Sequence, residues 1–280
     1  MKKIGIATLI MGTMLLTACN NANIGIIGGA DGPTSIFIGE EIENNTSLKL
    51  KIVDGSDTGE LILAGTNKND VYTLNVKETP VFIDEKEANY TDLEDGMPVT
   101  VDFDGSIEET FPAKLGSVKG IYGHSIGTQQ NPGGTFYDLS GLYLKVLNDL
   151  WETDSGLNSD IKYISVDLSK APAGLTEGEK SAVCWIFANS HNAEGLQLSL
   201  DELDAEGYMD KDKLYWEDGI LFSITDKMGE NEIHFGLNTI KFDAKKWRSG
   251  DGAYFFNDCT ASCSQTGTWE TYNVGGHAIS

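Results

Sequence analysis

Ser125 stands in Gly123-His124-Ser125-Ile126-Gly127, a G-x-S-x-G pentapeptide. Small residues at that spacing allow a sharp turn that lifts the hydroxyl clear of the backbone. Acyl transfer becomes possible if a histidine and an acid stand behind it. His191, His234 or His277 would have to be that base. A second nucleophile, Cys19, follows Leu16-Thr17-Ala18 at the end of an apolar run. A thiol there can carry lipid through its sulfur, and small side chains at 17 and 18 admit a peptidase that cuts before it. Cys259 and Cys263, four apart in a polar segment, are expected to close a small disulfide in an oxidising compartment. Cys184, in an apolar helical stretch, is expected to be a buried free thiol. The four histidines are scattered without metal-ligand spacing, and two cysteines make half a zinc site at most, so neither a metal centre nor a cofactor is expected.

The context of each nucleophile separates the two chemistries. Lys2 and Lys3 precede an uncharged apolar run, Ile4 to Leu16, which is too short to cross a bilayer. With Leu16-Thr17-Ala18-Cys19 behind it, this resembles the signal peptide and lipobox of bacterial lipoproteins. The resemblance implies removal of residues 1–18, acylation of Cys19, and a protein held at the outer face of the cell membrane by its lipid. Ser125 has the pentapeptide of the α/β-hydrolase nucleophile elbow, which needs a strand before it, a helix directly after it and a parallel sheet beneath. Here the chain runs on into Thr128-Gln129-Gln130-Asn131-Pro132-Gly133-Gly134. An anchored serine hydrolase is therefore the alternative, and an extracytoplasmic binding or interaction module the primary reading.

Beyond Cys19, residues 19–46 read as a glycine-rich tether. Within it, Gly25 to Ile36 resembles a signature of the β subunit of sodium-pumping decarboxylases, with Asp31 as the matching acid. Such pumps need many membrane-spanning helices, and no second apolar run here has that length. Gly25, Gly28, Gly29 and Gly32 also miss the spacing of phosphate-binding loops, with no Lys-Ser/Thr after them. The chain carries 20 basic and 43 acidic residues, and losing Lys2 and Lys3 leaves 18 against 43, a charge of −25. That field repels nucleic acid and anionic headgroups and favours a peptide, a glycan or a basic polypeptide as partner.

Elements come last. Residues 47–124 alternate with period two between turns at Asp54-Gly55, Thr58-Gly59, Asp95-Gly96 and Asp104-Gly105, so a small all-β barrel is expected. Tyr90 to Val101 with Gly105 to Ala113 resembles the OB-like barrel domains of some surface lipoproteins. Residues 125–135 read as a linker. In 136–280 the period changes: Leu139, Leu142, Tyr143, Val146, Leu147 and Leu150 mark a helix, and Thr176 with Glu179 and Ser199 with Glu202 make capping boxes for two more. Strands then follow, which predicts an α+β domain with helices on an antiparallel sheet, similar in outline to nuclear-transport-factor-2 or cystatin folds. The segment Phe242 to Gly250 is similar to segments of uncharacterised surface lipoproteins. Trp247, Arg248, Tyr254 and Trp269 are expected at a pocket mouth, the alternative being that the three rings fill the core.

Overall fold

The computed structural model describes residues 46–125, 138–172, 174–227, 239–263 and 269–280. Cys19, the segment Gly25 to Ile36, His234 and most of the 125–135 stretch lie outside these residues. Glu43–Ser280 forms one compact unit.

The first sheet is built from Thr46–Asp54 (β1), Glu60–Ala64 (β2), Val71–Asn75 (β3), Val81–Ile83 (β4), Lys86–Ala88 (β5), Pro98–Phe103 (β6), Ile107–Glu108 (β7), Ala113–Leu115 (β8) and Val118–Gly123 (β9). Its order is β5-β4-β9-β6-β1-β2-β3-β8-β7. Alternation along β1 places Leu50 and Ile52 in one core with Leu61, Leu63, Leu74, Val99, Val101, Phe103 and Ile121. Among the described residues that cluster takes side chains from the strands and their connections and from no α-helix. The opposite face is also partly apolar: Val53, Ala64 and Val71 join a second core.

That second core is helical on one side. Leu139–Glu152 (α1) follows its N-cap Asp138, whose side chain accepts from Gly141 N. Tyr163–Asp167 (β10) leads to Glu177–Ser190 (α2), Glu194–Leu196 (β11), Leu200–Ala205 (α3), Gly219–Asp226 (β12), Thr239–Ser249 (β13), Gly252–Cys263 (β14), Trp269–Asn273 (β15) and Gly276–Ile279 (β16). The second sheet runs β11-β10-β12-β13-β14-β15, with β16 also on β14. Leu142, Tyr143, Val146, Leu147 and Leu150 of α1 and Ala182, Val183 and Phe187 of α2 pack on Ile164, Ile220, Phe222, Phe242 and Phe256. Because α2 also packs against β1, β2 and β3, α1 and α2 form a layer between two sheets. Gly178 allows this approach, since a Cβ there would lie 2.5 Å from Gly65 O. Thr176 Oγ1 donates to the same carbonyl at 2.7 Å.

This architecture corrects the expected small OB-like barrel followed by helices on an antiparallel sheet. Both sheets are mixed: β3 with β8 and β4 with β9 pair in parallel in the first, and β11, β10 and β12 in the second. Among the described residues the first sheet runs from β5 to β7 without closing. Period-two alternation specifies strands, but which strands become neighbours depends on the crossovers. The unit β10–α2–β11 hides in sequence because β11 is only three residues long.

Candidate functional site

The four residues expected at a pocket mouth do not converge. Neighbours on a strand face opposite sides, and β13 separates Trp247 from Lys246 and Arg248. Trp247 packs with Leu196, Leu203, Met209, Trp216 and Leu221, under α3. Lys246 and Arg248 turn to the other face and hold the 151–159 turn with backbone acceptors. Lys246 Nζ donates to Thr153 O, to Asp154 O at 3.1 Å and to Asn158 Oδ1 at 3.2 Å. Burial pushes its ammonium down to about 8, opposed by Asp154 and Glu152. Arg248 Nη1 donates to Leu157 O at 2.9 Å and Ser159 O at 2.5 Å, and Nη2 to Glu217 O at 2.6 Å. Tyr254 lies opposite Lys246 in the register, 3.3 Å from His277 Nδ1, and Trp269 packs on the central core beside Cys263.

The expected Cys259–Cys263 disulfide is not formed: both thiols are free and buried on the continuous strand β14. Positions four apart on a strand are about 13 Å apart, well beyond the 7 Å or so that a disulfide can bridge. Cys184 is also buried and free, and burial pushes its thiol up to about 12. Ser125 meets an acid, Asp84. Its Oγ donates to Asp84 Oδ2 at 2.5 Å and its N to Asp84 Oδ1 at 3.2 Å, with His124 Nδ1 3.7 Å from that carboxylate. Asp84 and Glu85, both at positive φ, form the two-residue loop joining β4 to β5. The Ser125 hydrogen bonds hold the Asp84 carboxyl below its ordinary value. An acid so disposed takes up a serine proton poorly, and the contact serves to latch the end of β9 to the β4–β5 turn.

Sequence reasoning missed the cleft at the carboxyl end of β10 and β11. The connection after β10 leads to α2 on the inner face of the sheet, and the connection after β11 leads to α3 on the outer face. Adjacent parallel strands whose connections leave for opposite faces open a crevice at their carboxyl ends. Ser165, fully buried on β10, ties the two strands: its hydroxyl lies 3.0 Å from Leu196 O of β11 and 2.6 Å from Leu198 O just beyond it, and accepts from Leu198 N at 3.3 Å. Two hollows of about 90 and 260 Å³ share Lys68 and Gln197 as a common wall.

The smaller hollow is aromatic. Phe111, from the turn between β7 and β8, is 52% exposed and faces the same space as Trp185 of α2. A phenylalanine kept in water beside a half-buried tryptophan is an apolar surface without a partner in the described residues. The larger hollow is polar, with Asp167, Glu177 and Glu202 balanced by Lys68 and Lys180. Lys180 donates to Glu177 at 2.7 Å and holds it below its ordinary value, and hydrogen bonds from Ser199 do the same for Glu202. Gln197 bridges the two parts: its Oε1 accepts from Ser181 Oγ at 2.6 Å and its Nε2 donates to Glu177 at 3.2 Å. Among the described residues no His, Cys, Asp and Glu cluster could hold a metal. The thiol in the wall, Cys184, is buried, and burial holds it protonated. The cleft sets an exposed ring beside polar groups whose charges nearly cancel. Comparison of the chain with family models, with curated proteins and with solved structures finds no match.

Proposed function

We propose that this chain is a lipid-anchored extracytoplasmic binding module that takes a neutral saccharide in the cleft between Phe111, Trp185 and Gln197. The observation that carries the reading is exposed Phe111 beside half-buried Trp185, set against polar groups whose charges nearly cancel. A pyranose ring has an apolar C–H face that suits an aromatic surface, and equatorial hydroxyls that suit carboxylate, amide and ammonium partners. Neither an anion nor a cation gains from walls whose charges nearly cancel. The positive n-region, apolar run and Leu16-Thr17-Ala18-Cys19 support the anchor. Attachment outside the cell sets such a module where glycans are encountered.

Titration calorimetry with cellotetraose, maltotetraose and the N-acetylglucosamine tetramer tests the cleft. At least one should bind, and Phe111→Ala and Trp185→Ala should each weaken it by about tenfold, or 1.4 kcal/mol. Silence with all three at millimolar concentration, or binding unchanged in both variants, refutes the saccharide reading.

A further inference from the structure

The two hollows of the cleft differ in size, and the difference limits what each can hold. The polar one, about 260 Å³, has room for a pyranose ring with its hydroxyls. The aromatic one, about 90 Å³, has room for roughly three water-sized groups. A ring does not fit there, whereas one short substituent of a ring does.

The walls of the small hollow are of two kinds. Exposed Phe111 and half-buried Trp185 are apolar, and Asn69 and Gln197 are primary amides. The Gln197 amide is fixed in direction. Lys180 keeps Glu177 ionised, so that carboxylate can only accept and Nε2 must face it, at 3.2 Å, while Oε1 takes the Ser181 hydroxyl at 2.6 Å. Each half of the amide keeps one further hydrogen-bonding position, an N–H and a lone pair. Asn69 is exposed on the β2–β3 turn, and that turn is itself held. Asp70 Oδ2 accepts from Asn67 N and from Asn67 Nδ2, each at 2.8 Å, and Gly65 O accepts from the Thr176 hydroxyl at 2.7 Å.

We propose that the small hollow is an acetamido site, so that the saccharide taken by the cleft is an N-acetylated amino sugar. The inference rests on the saccharide reading and narrows it. An acetamido group carries what both kinds of wall require: a methyl for the rings, and an N–H and a carbonyl oxygen for the amides. A deoxy or ether methyl would use the rings and leave the amides unanswered, and a hydroxymethyl group would do the reverse. A carboxylate would bring an anion beside Glu177. The sugar ring then lies against the exposed part of Phe111, with its hydroxyls directed past Lys68 and Gln197 into the polar hollow.

Titration calorimetry on the detergent-solubilised full-length protein tests it with matched tetramers. The N-acetylglucosamine tetramer and cellotetraose share one backbone and differ only in acetamido against hydroxyl, so the ratio of their affinities reads the small hollow. The N-acetylated tetramer should bind at least about tenfold more tightly. The N-butyryl tetramer, whose acyl chain is too long for the hollow, should fall back to the cellotetraose level. Asn69→Leu, at an exposed position, should lower the ratio severalfold without lowering the melting temperature. Cellotetraose or maltotetraose binding as tightly as the N-acetylated tetramer, an N-butyryl tetramer that binds as well as the acetyl one, or an unchanged ratio in Asn69→Leu overturns the acetamido site and leaves the saccharide cleft standing. Silence with every tetramer removes both.

Discussion

Asp138 opens α1 from a costly position. Its carboxylate caps the helix by accepting from Gly141 N at 2.9 Å, yet burial, with Asp95 and Asp54 nearby, raises its pKa from the ordinary 3.8 to about 6, against the pull of the Gly141 N–H and Lys51. A folded-state pKa above the unfolded value means that the native protein binds the proton more tightly, so stability falls as pH rises between the two values. The native state bears no penalty below about pH 4 and the full penalty above pH 6. At about 1.4 kcal/mol per pH unit, that penalty is at most about 3 kcal/mol. Asparagine caps a helix as well as aspartate and carries no charge. Asp138→Asn should therefore stabilise the protein by up to about 3 kcal/mol at pH 8 in urea denaturation, with the gain fading to nothing by about pH 4. A variant less stable than wild type at pH 8, or a difference constant from pH 4 to 8, would refute the reasoning.

Three other outcomes follow from single side chains. Lys246→Met leaves the Thr153 and Asp154 carbonyls and the Asn158 amide oxygen without their buried donor, and should cost about 3 kcal/mol in the same assay. A fluorophosphonate probe should leave Ser125 unlabelled, because its hydroxyl is bonded to an ionised acid; labelling abolished by Ser125→Ala would restore the hydrolase alternative. Cys19→Ser should abolish acylation and cleavage before residue 19, seen as loss of partition into detergent and a retained signal segment; wild-type processing of that variant would end the anchor reading.

Much of the local structure was legible and little of its assembly was. The spacing from Leu139 to Leu150 gives the helix that the structure spans as Leu139–Glu152, and both capping boxes are present. The sequence pattern also held the reason why Trp247 and Arg248 share no pocket, since consecutive strand residues face apart. The polar segment around Cys259 and Cys263 reads as a small ring, but β14 continues to Cys263 and draws the two cysteines apart. Nothing in Glu108-Glu109-Thr110-Phe111-Pro112 shows that the phenylalanine stays in water, because Trp185, which lines the same hollow, comes from a helix more than seventy residues on. The cleft depends on the parallel placement of a three-residue strand, a long-range pairing that no local period encodes.

Saturation-transfer NMR of the tetrasaccharides with wild-type protein and with the double variant Phe111→Ala, Trp185→Ala tests the central claim most directly. Saturation should reach the ring protons of a bound sugar in the wild type and vanish in the double variant. Undiminished transfer in the double variant, or none in the wild type, would contradict a saccharide site at the carboxyl end of β10 and β11.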